Sequence, residues 1–147
     1  MRYLDYPPVW LLGALGLVWL ETIFVPQLLG QTQVQVLGTV IALLAAVLFG
    51  LAGWAFLRVR STIIPHQTPQ KLITSGIFRF SRNPIYLADV LILVGLSLRW
   101  GAVGGLMLAP ALVWVLQKRF ILPEEARILH KFGAQAQAYF AQTRRWL

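Results

Sequence analysis

A short polar sequence, SRNPIY at residues 81–86, stands at the start of a long apolar segment. Pro84 suits the first turn of a helix, which Ser81 or Asn83 could cap. A helix start that presents free N–H groups beside Arg82 makes a site for a carboxylate or a phosphate. Helix capping and the binding of lipid phosphates would also account for these residues, so the two interpretations stay open here.

A second polar turn, Pro123-Glu124-Glu125, follows the last long apolar segment. Acidic residues after a proline at a helix start interact favourably with the helix dipole, by about 0.3–1 kcal/mol, and this alone could explain both glutamates. Both polar turns are predicted at the same membrane boundary. An arginine and two carboxylates brought together there would suit a small zwitterionic ligand.

Two carboxylates are predicted at membrane depth, where a charge costs a few kcal/mol and is a functional candidate. Asp89 follows Tyr86 by three residues and shares its helix face. Asp89 could pair with Arg82 or with a tyrosine hydroxyl, or it could face a substrate. Glu21 is isolated near the outer end of the first apolar segment, where it could extend to the interface or bond between helices.

Composition excludes several classes of site. The 147 residues are 58% hydrophobic and 12% charged, which indicates a membrane protein. The net charge of +8 is carried mainly beside apolar segments, so anionic lipids are expected partners and nucleic acid is not. There is no cysteine, and the two histidines lie far apart. Disulfides and thiol catalysis are therefore excluded, and no metal site is expected.

The apolar pattern predicts one all-α integral membrane domain covering residues 1–147. A helix of about 20 residues crosses a hydrocarbon core, and the sequence contains four apolar segments for this role: 9–25, 34–57, 85–98 and 101–122. The last two lie so close in sequence that they should form a tight helical hairpin. After Pro123, apolar residues recur at helical spacing opposite a charged face, which predicts a C-terminal amphipathic helix at the cytoplasmic surface.

The positive charges predict the orientation of these spans. The loop between the first two spans has no basic residue, whereas the connection after the second span carries Arg58, Arg60, Lys71, Arg79 and Arg82. By the positive-inside rule, both termini and the connection 58–84 are expected on the cytoplasmic side. The N-terminus lacks a cleavage-site pattern, so the first span is expected to be retained.

The order of these motifs resembles a known group of membrane enzymes, the isoprenylcysteine carboxyl methyltransferases and phospholipid methyltransferases. In this group a short segment with glycine, an aromatic residue and arginine comes first, followed by a helix that begins next to an arginine. An apolar helical hairpin and then a motif with two adjacent glutamates follow. These motifs fall on Gly76 to Arg79, on Arg82, Asn83, Pro84 and Tyr86, and on Glu124, Glu125, Phe132, Gly133 and Tyr139. The resemblance covers residues 58–147, and the two N-terminal spans within 1–57 carry no signature.

The resemblance implies an S-adenosylmethionine-dependent methyltransferase with its cofactor in a cytoplasm-facing pocket of the C-terminal half. Arg82 and Asn83 would belong to this pocket, and Tyr86 would line it. Glu124 and Glu125 would hold polar groups of the cofactor. This agrees with the chemistry of the residues, because the cofactor carries a carboxylate for an arginine and an ammonium and hydroxyl groups for a glutamate.

The same resemblance assigns a covering role to the loop 72–76, with Leu72, Thr74 and Gly76 as cofactor-binding positions. Two residues depart from the family pattern. Asn83 stands where well-known members have histidine, so a proton-accepting role at that position is in doubt. Asp89 stands near a position that is commonly small, and it could receive an amine or fix Arg82. Together with Arg82, these two residues are the expected catalytic positions.

The expected acceptor is lipophilic, an isoprenylcysteine-like carboxylate or a related lipid, and it would enter from the bilayer. A phospholipid amine and a small thiol are alternative acceptors. A nicotinamide-dependent reductase of the sterol type and a non-enzymatic scaffold that binds anionic lipid are the alternative classes. Because the chain looks like bacterial members of the group, the bacterial inner membrane is the expected location. Its oligomeric state is not readable from the sequence.

Overall fold

A computed structural model describes residues 6–59 and 71–147. Every secondary-structure element in these residues is helical, and the long helices are α1 (Pro7–Phe24), α2 (Thr32–Val59), α3 (Pro84–Trp100), α4 (Gly104–Leu116), α5 (Leu122–Phe132) and α6 (Ala134–Gln142). A 3₁₀ turn at Gly76–Arg79 precedes α3, and π-helical turns at Gln117–Ile121 join α4 to α5. Arg60 and the rest of 60–70, on which part of the orientation argument rests, lie outside the described residues, as do residues 1–5.

Three of these helical stretches are long and apolar enough to cross a membrane: α1, α2 and the continuous helix Gly104–Phe132. The helix α3 has 17 residues, slightly fewer than the about 20 that a bilayer requires. Large apolar side chains such as Leu12, Leu43 and Trp54 are 62–66% exposed on α1 and α2. These faces suit contact with lipid, and the chain is an integral membrane protein.

The last long helix differs from the expectation that the fourth apolar segment ends before a separate helix at Pro123. The chain stays helical through Pro123, and the break comes instead at Gly133, whose φ of +49° favours glycine. The π-helical turns explain the continuity. In an α-helix each N–H donates to the carbonyl four residues earlier, and a proline has no N–H to donate. Just before Pro123 the N–H of Leu122 donates to the carbonyl of Gln117, five residues earlier, which is the π-helical spacing.

The helix α3 is the central element, since it packs against α1, α2 and α4. Its contact with α2 is close because Gly38 and Gly95 face each other, so that the helix backbones touch without side chains between them. Its face toward α4 buries Leu93 and Ser97, and a side chain on Gly105 would collide with Ser97. The helix α3 is therefore held by three neighbouring helices, with close contacts in its C-terminal half.

Glu21 bonds between helices, which was one of its two expected roles. Its carboxylate accepts hydrogen bonds from the backbone N–H groups of Val103 and Gly104 at 2.9–3.0 Å. These are donors at the start of α4 that lack partners within the helix. A negative charge at a helix N-terminus is also favourable, so Glu21 on α1 caps α4 and holds the hairpin end in place.

Candidate functional site

The α3 start is fixed by the C-terminal tail as well as by its own sequence. Pro84 is the first helical residue, and the N–H of Asn83 donates to the hydroxyl oxygen of Ser81 at 3.1 Å. The side chain of Asn83 makes no capping hydrogen bond to the helix. Its Nδ2 donates instead to the carbonyl oxygen of Arg145 at 3.0 Å. Asn83 therefore links the helix start to a segment 62 residues away.

Arg82 is held on several sides but keeps one unused donor. Its guanidinium lies over the Phe140 ring, 4.3 Å from the centroid, and its Nη2 lies 3.4 Å from Oε1 of Glu125. Its backbone N–H donates to the carbonyl of Arg144. Its Nε is buried without a hydrogen-bond partner in the described part of the chain. Such a buried donor is costly unless a ligand or water satisfies it, so Arg82 is suited to bind an anionic group.

The two adjacent glutamates point to different partners. Glu124 accepts a hydrogen bond from the hydroxyl of Tyr86 at 3.1 Å. Glu125 is buried and accepts hydrogen bonds from Nε and Nη2 of Arg145, the shortest at 2.7 Å. This bonding raises the pKa of Arg145 above its usual value, so its charge is permanent. Both glutamates were expected to hold polar groups of a ligand; Glu124 lines the cavity described next, and Glu125 is not among the residues of its wall.

A small cavity of about 50 Å³ lies beside these groups, and its wall is formed by Phe56, Lys71, Leu72, Ile73, Phe78, Arg82, Glu124, Ile128 and Tyr139. It combines a cation, a carboxylate and an apolar wall. An open cleft of about 430 Å³ shares the wall residue Tyr139 with this cavity. Thr74 and Arg79 also line the cleft. The cleft is in the size range of small-molecule sites, whereas the cavity fits only a few atoms.

Tyr139 separates the two spaces as a neutral hydrogen-bond donor. Its hydroxyl donates to the carbonyl oxygen of Phe78 at 2.7 Å. Burial raises the pKa of Tyr139 to about 12, and the nearby Arg82 only partly opposes this shift. The hydroxyl therefore stays protonated at neutral pH. Its bond fixes the 3₁₀ turn against α6, and Phe78 packs edge-on against Phe56 of α2.

The structure places the predicted site residues in three groups. Arg82, Asn83, Tyr86, Glu124 and Glu125 converge where α3 and α5 begin. Of the loop residues, Leu72 lines the cavity and Thr74 lines the cleft. Gly76 is on neither wall and opens the 3₁₀ turn with a φ of +63°, a conformation that favours glycine.

Asp89 lies one turn into α3 and is only 3% exposed. It pairs with neither expected partner, because Arg82 pairs with Glu125 and the Tyr86 hydroxyl bonds to Glu124. Within the described residues no hydrogen bond or ion pair reaches its carboxylate. Asp89 is thus a buried carboxylate to which the described residues offer no cationic partner, and a cationic group placed beside it would be stabilised.

Two basic residues of this region were not predicted. Arg127 has a buried Nε without a hydrogen-bond partner among the described residues, and its position three residues after Glu124 on one helix face is a signal that could have identified it. Arg145 pairs with Glu125 from 20 residues away. Its sequence context, TRRWL, carries no periodic pattern that could have predicted this contact.

Comparison with known proteins gives a family match. A family model described as phospholipid methyltransferase matches residues 32–135, more than two thirds of the chain. No curated protein and no solved structure gives a significant match. The match begins earlier than the expected 58 and includes α2, which packs closely on α3. With the polar groups of α3 and α5 inside the matched region, the chain belongs to the phospholipid methyltransferase family of membrane methyltransferases.

Proposed function

We propose that this protein transfers a methyl group from S-adenosylmethionine to a lipid acceptor at the cytoplasmic face of the membrane. The observation that carries the proposal is the joint presence of Arg82, with its unused buried donor, and Glu124 on one cavity wall. Membership of a methyltransferase family supports the reaction class. The basic residues near this end of α3 support the cytoplasmic side, and we include α3 as a fourth, short span.

The residues around the cavity fit the chemistry of this cofactor. Arg82 would bind its carboxylate, and Glu124 would bind its ammonium or hydroxyl groups. Leu72 and Ile73 would supply an apolar wall, and Thr74 would extend the contacts into the cleft. When bound, S-adenosylmethionine supplies an electrophilic methyl group on a sulfonium. Apart from alignment and the exclusion of water, such a transfer demands little of the protein.

Asp89 supports a lipid amine as the acceptor. A carboxylate acceptor would be repelled by a buried carboxylate that has no partner among the described residues, whereas an ammonium headgroup would pair with it. An amine must also lose a proton before it can attack a methyl group, and Asp89 could accept that proton. In such a transfer the amine nitrogen would gain the methyl group that the sulfonium sulfur gives up, and Asp89 would hold the proton that the nitrogen releases. We therefore favour an amine over an isoprenylcysteine-like carboxylate or a thiol.

A ligand comparison on the purified protein in detergent tests the function. S-adenosylmethionine and its demethylated product are expected to raise the melting temperature by several degrees at about 100 times Kd, since binding at that concentration stabilises the fold by about 2.7 kcal/mol. Reduced nicotinamide cofactors are expected to have no effect. A shift with the nicotinamide cofactor alone would favour a reductase, and no shift with any of them would favour a lipid-binding scaffold.

Replacing Asp89 with asparagine tests the acceptor. Asp89→Asn keeps the shape but removes the charge and the base, so transfer of labelled methyl to a lipid with a primary amine headgroup is expected to fall about 100-fold. Affinity for S-adenosylhomocysteine should be unchanged. The melting temperature should stay the same or rise, because an unpaired buried charge is removed.

The chemical stability of the product separates an amine from a carboxylate acceptor in that assay. Label on an N-methyl group survives mild base, whereas label in a methyl ester is released as methanol. Base-labile label, or Asp89→Asn transfer to the amine at the wild-type rate, would contradict the amine assignment while leaving cofactor binding intact.

A further inference from the structure

The C-terminal tail after α6 contributes a second arginine to the candidate site. Arg145 donates from Nε and Nη2 to both oxygens of Glu125, at 3.1 and 2.7 Å. Glu125 is buried, whereas the Arg145 side chain is 33% exposed, so this bidentate pair is buried on the carboxylate side and partly open to solvent on the arginine side. Such two-point contacts are the strongest arginine–carboxylate geometry and fix the orientation of both side chains.

The tail is anchored on both sides of Arg145. The carbonyl of Arg144 accepts the backbone N–H of Arg82, and the carbonyl of Arg145 accepts Nδ2 of Asn83. Farther along, Nε1 of Trp146 donates to the side-chain oxygen of Gln117 at 3.0 Å. The backbone next to Arg145 is therefore tied to the same residues that begin α3.

Glu125 has two cationic neighbours, and they are not equivalent. Arg145 binds it at hydrogen-bond distance, whereas Nη2 of Arg82 lies 3.4 Å away, beyond the usual length of a charge-assisted hydrogen bond. The charge of Glu125 is thus balanced mainly by Arg145. Among the described residues Arg82 has no partner for its Nε, and it lies on the cavity wall.

We propose that Arg145 is a positioning residue that neutralises Glu125 and thereby leaves Arg82 available for the carboxylate of the methyl donor. Without Arg145, Arg82 would be the remaining cation beside the buried Glu125 among the described residues. The two side chains would then form a closer ion pair, because a buried charge without a partner is costly. Arg82 would be drawn from the cavity. This inference rests on the proposed function for the identity of the ligand.

The test compares two ligands that differ only in the carboxylate, S-adenosylmethionine and its decarboxylated analogue, by calorimetry in detergent. The wild-type protein is expected to prefer the carboxylate-bearing ligand by about 10- to 100-fold. In Arg145→Met, this preference should fall about tenfold, while the affinity for the decarboxylated analogue changes less than threefold. Arg145→Lys keeps the charge and should restore part of the preference.

Arg144→Met is the matched control, because Arg144 is exposed and contributes its backbone carbonyl to the contacts above. It removes the same charge and should leave the preference unchanged. If Arg145→Met weakens both ligands equally, the tail is merely structural and the proposal is wrong. An unchanged preference also overturns it. Failure of the wild-type protein to bind either ligand would overturn the proposed function itself. This outcome is therefore distinct from the two outcomes that overturn the role of Arg145.

Discussion

Replacing Arg82 with glutamine is expected to weaken binding of S-adenosylmethionine and S-adenosylhomocysteine by about 100-fold. The side chain is only 13% exposed, and its Nε has no partner among the described residues. A hydrogen bond to a charged group contributes about 1.5–3 kcal/mol, so losing this contact corresponds to up to about two orders of magnitude in Kd. Calorimetry in detergent measures this directly, with Arg99→Gln at the other end of α3 as the charge-matched control.

A second variant separates binding from stability. Arg82 lies over Phe140, so Arg82→Gln should also lower the melting temperature. Phe140→Leu removes the stacked ring but keeps the guanidinium. It should lower the melting temperature to a similar degree while changing donor affinity less than about threefold. If Phe140→Leu weakens binding as much as Arg82→Gln does, the loss reflects the fold rather than a ligand contact.

The parts of this site that the sequence predicts are those encoded by local rules. Pro84 places the start of α3, as the structure has it, whereas the separate helix start predicted at Pro123 is replaced by a continuous helix. Convergence of Arg82 with Glu124 and Glu125 was suggested by the predicted membrane boundary and by the family motif. The first of these two arguments needs only the apolar pattern and the cost of charge in lipid.

The parts that the sequence does not predict depend on contacts between distant segments. Glu124 and Glu125 have different partners, because Tyr86 bonds to Glu124 and Arg145 bonds to Glu125. Adjacent residues on a helix point about 100° apart, so one pair of glutamates can serve two partners. The choice of partner is set by where the tail and α3 pack. Likewise, Glu21 finds its donors more than 80 residues away.

Asn83 occupies a motif position whose side chain contacts a segment that is distant in sequence. The family resemblance places it in the cofactor pocket, yet its Nδ2 is used by the carbonyl of Arg145. A neutral amide is well suited to this, because it donates without carrying a charge into a buried site. In this chain Asn83 therefore joins the tail to the helix start. The tail in turn carries Arg145 to Glu125.

The close contact between α2 and α3 determines whether the site forms, and Gly95→Ala should disrupt it. A Cβ at Gly95 would lie 2.6 Å from the Ala42 nitrogen and 2.9 Å from the Gly38 carbonyl oxygen. These are backbone atoms that cannot rotate away, so the helices must separate. Overpacking costs about 1–3 kcal/mol, and more where nothing can relax. We expect a melting temperature at least about 5 °C lower.

The matched control for this loss is Gly50→Ala, on α2 and without a neighbouring atom within 4 Å of the added methyl group. It should leave the melting temperature unchanged or raise it, because alanine favours a helix more than glycine does. Thermal unfolding in one detergent compares the two variants. Because Arg82 and Asn83 directly precede α3, Gly95→Ala should also weaken binding of S-adenosylhomocysteine, although Gly95 lies outside the proposed cofactor site. If Gly95→Ala melts like Gly50→Ala, the α2–α3 contact is looser than the described backbone distances require.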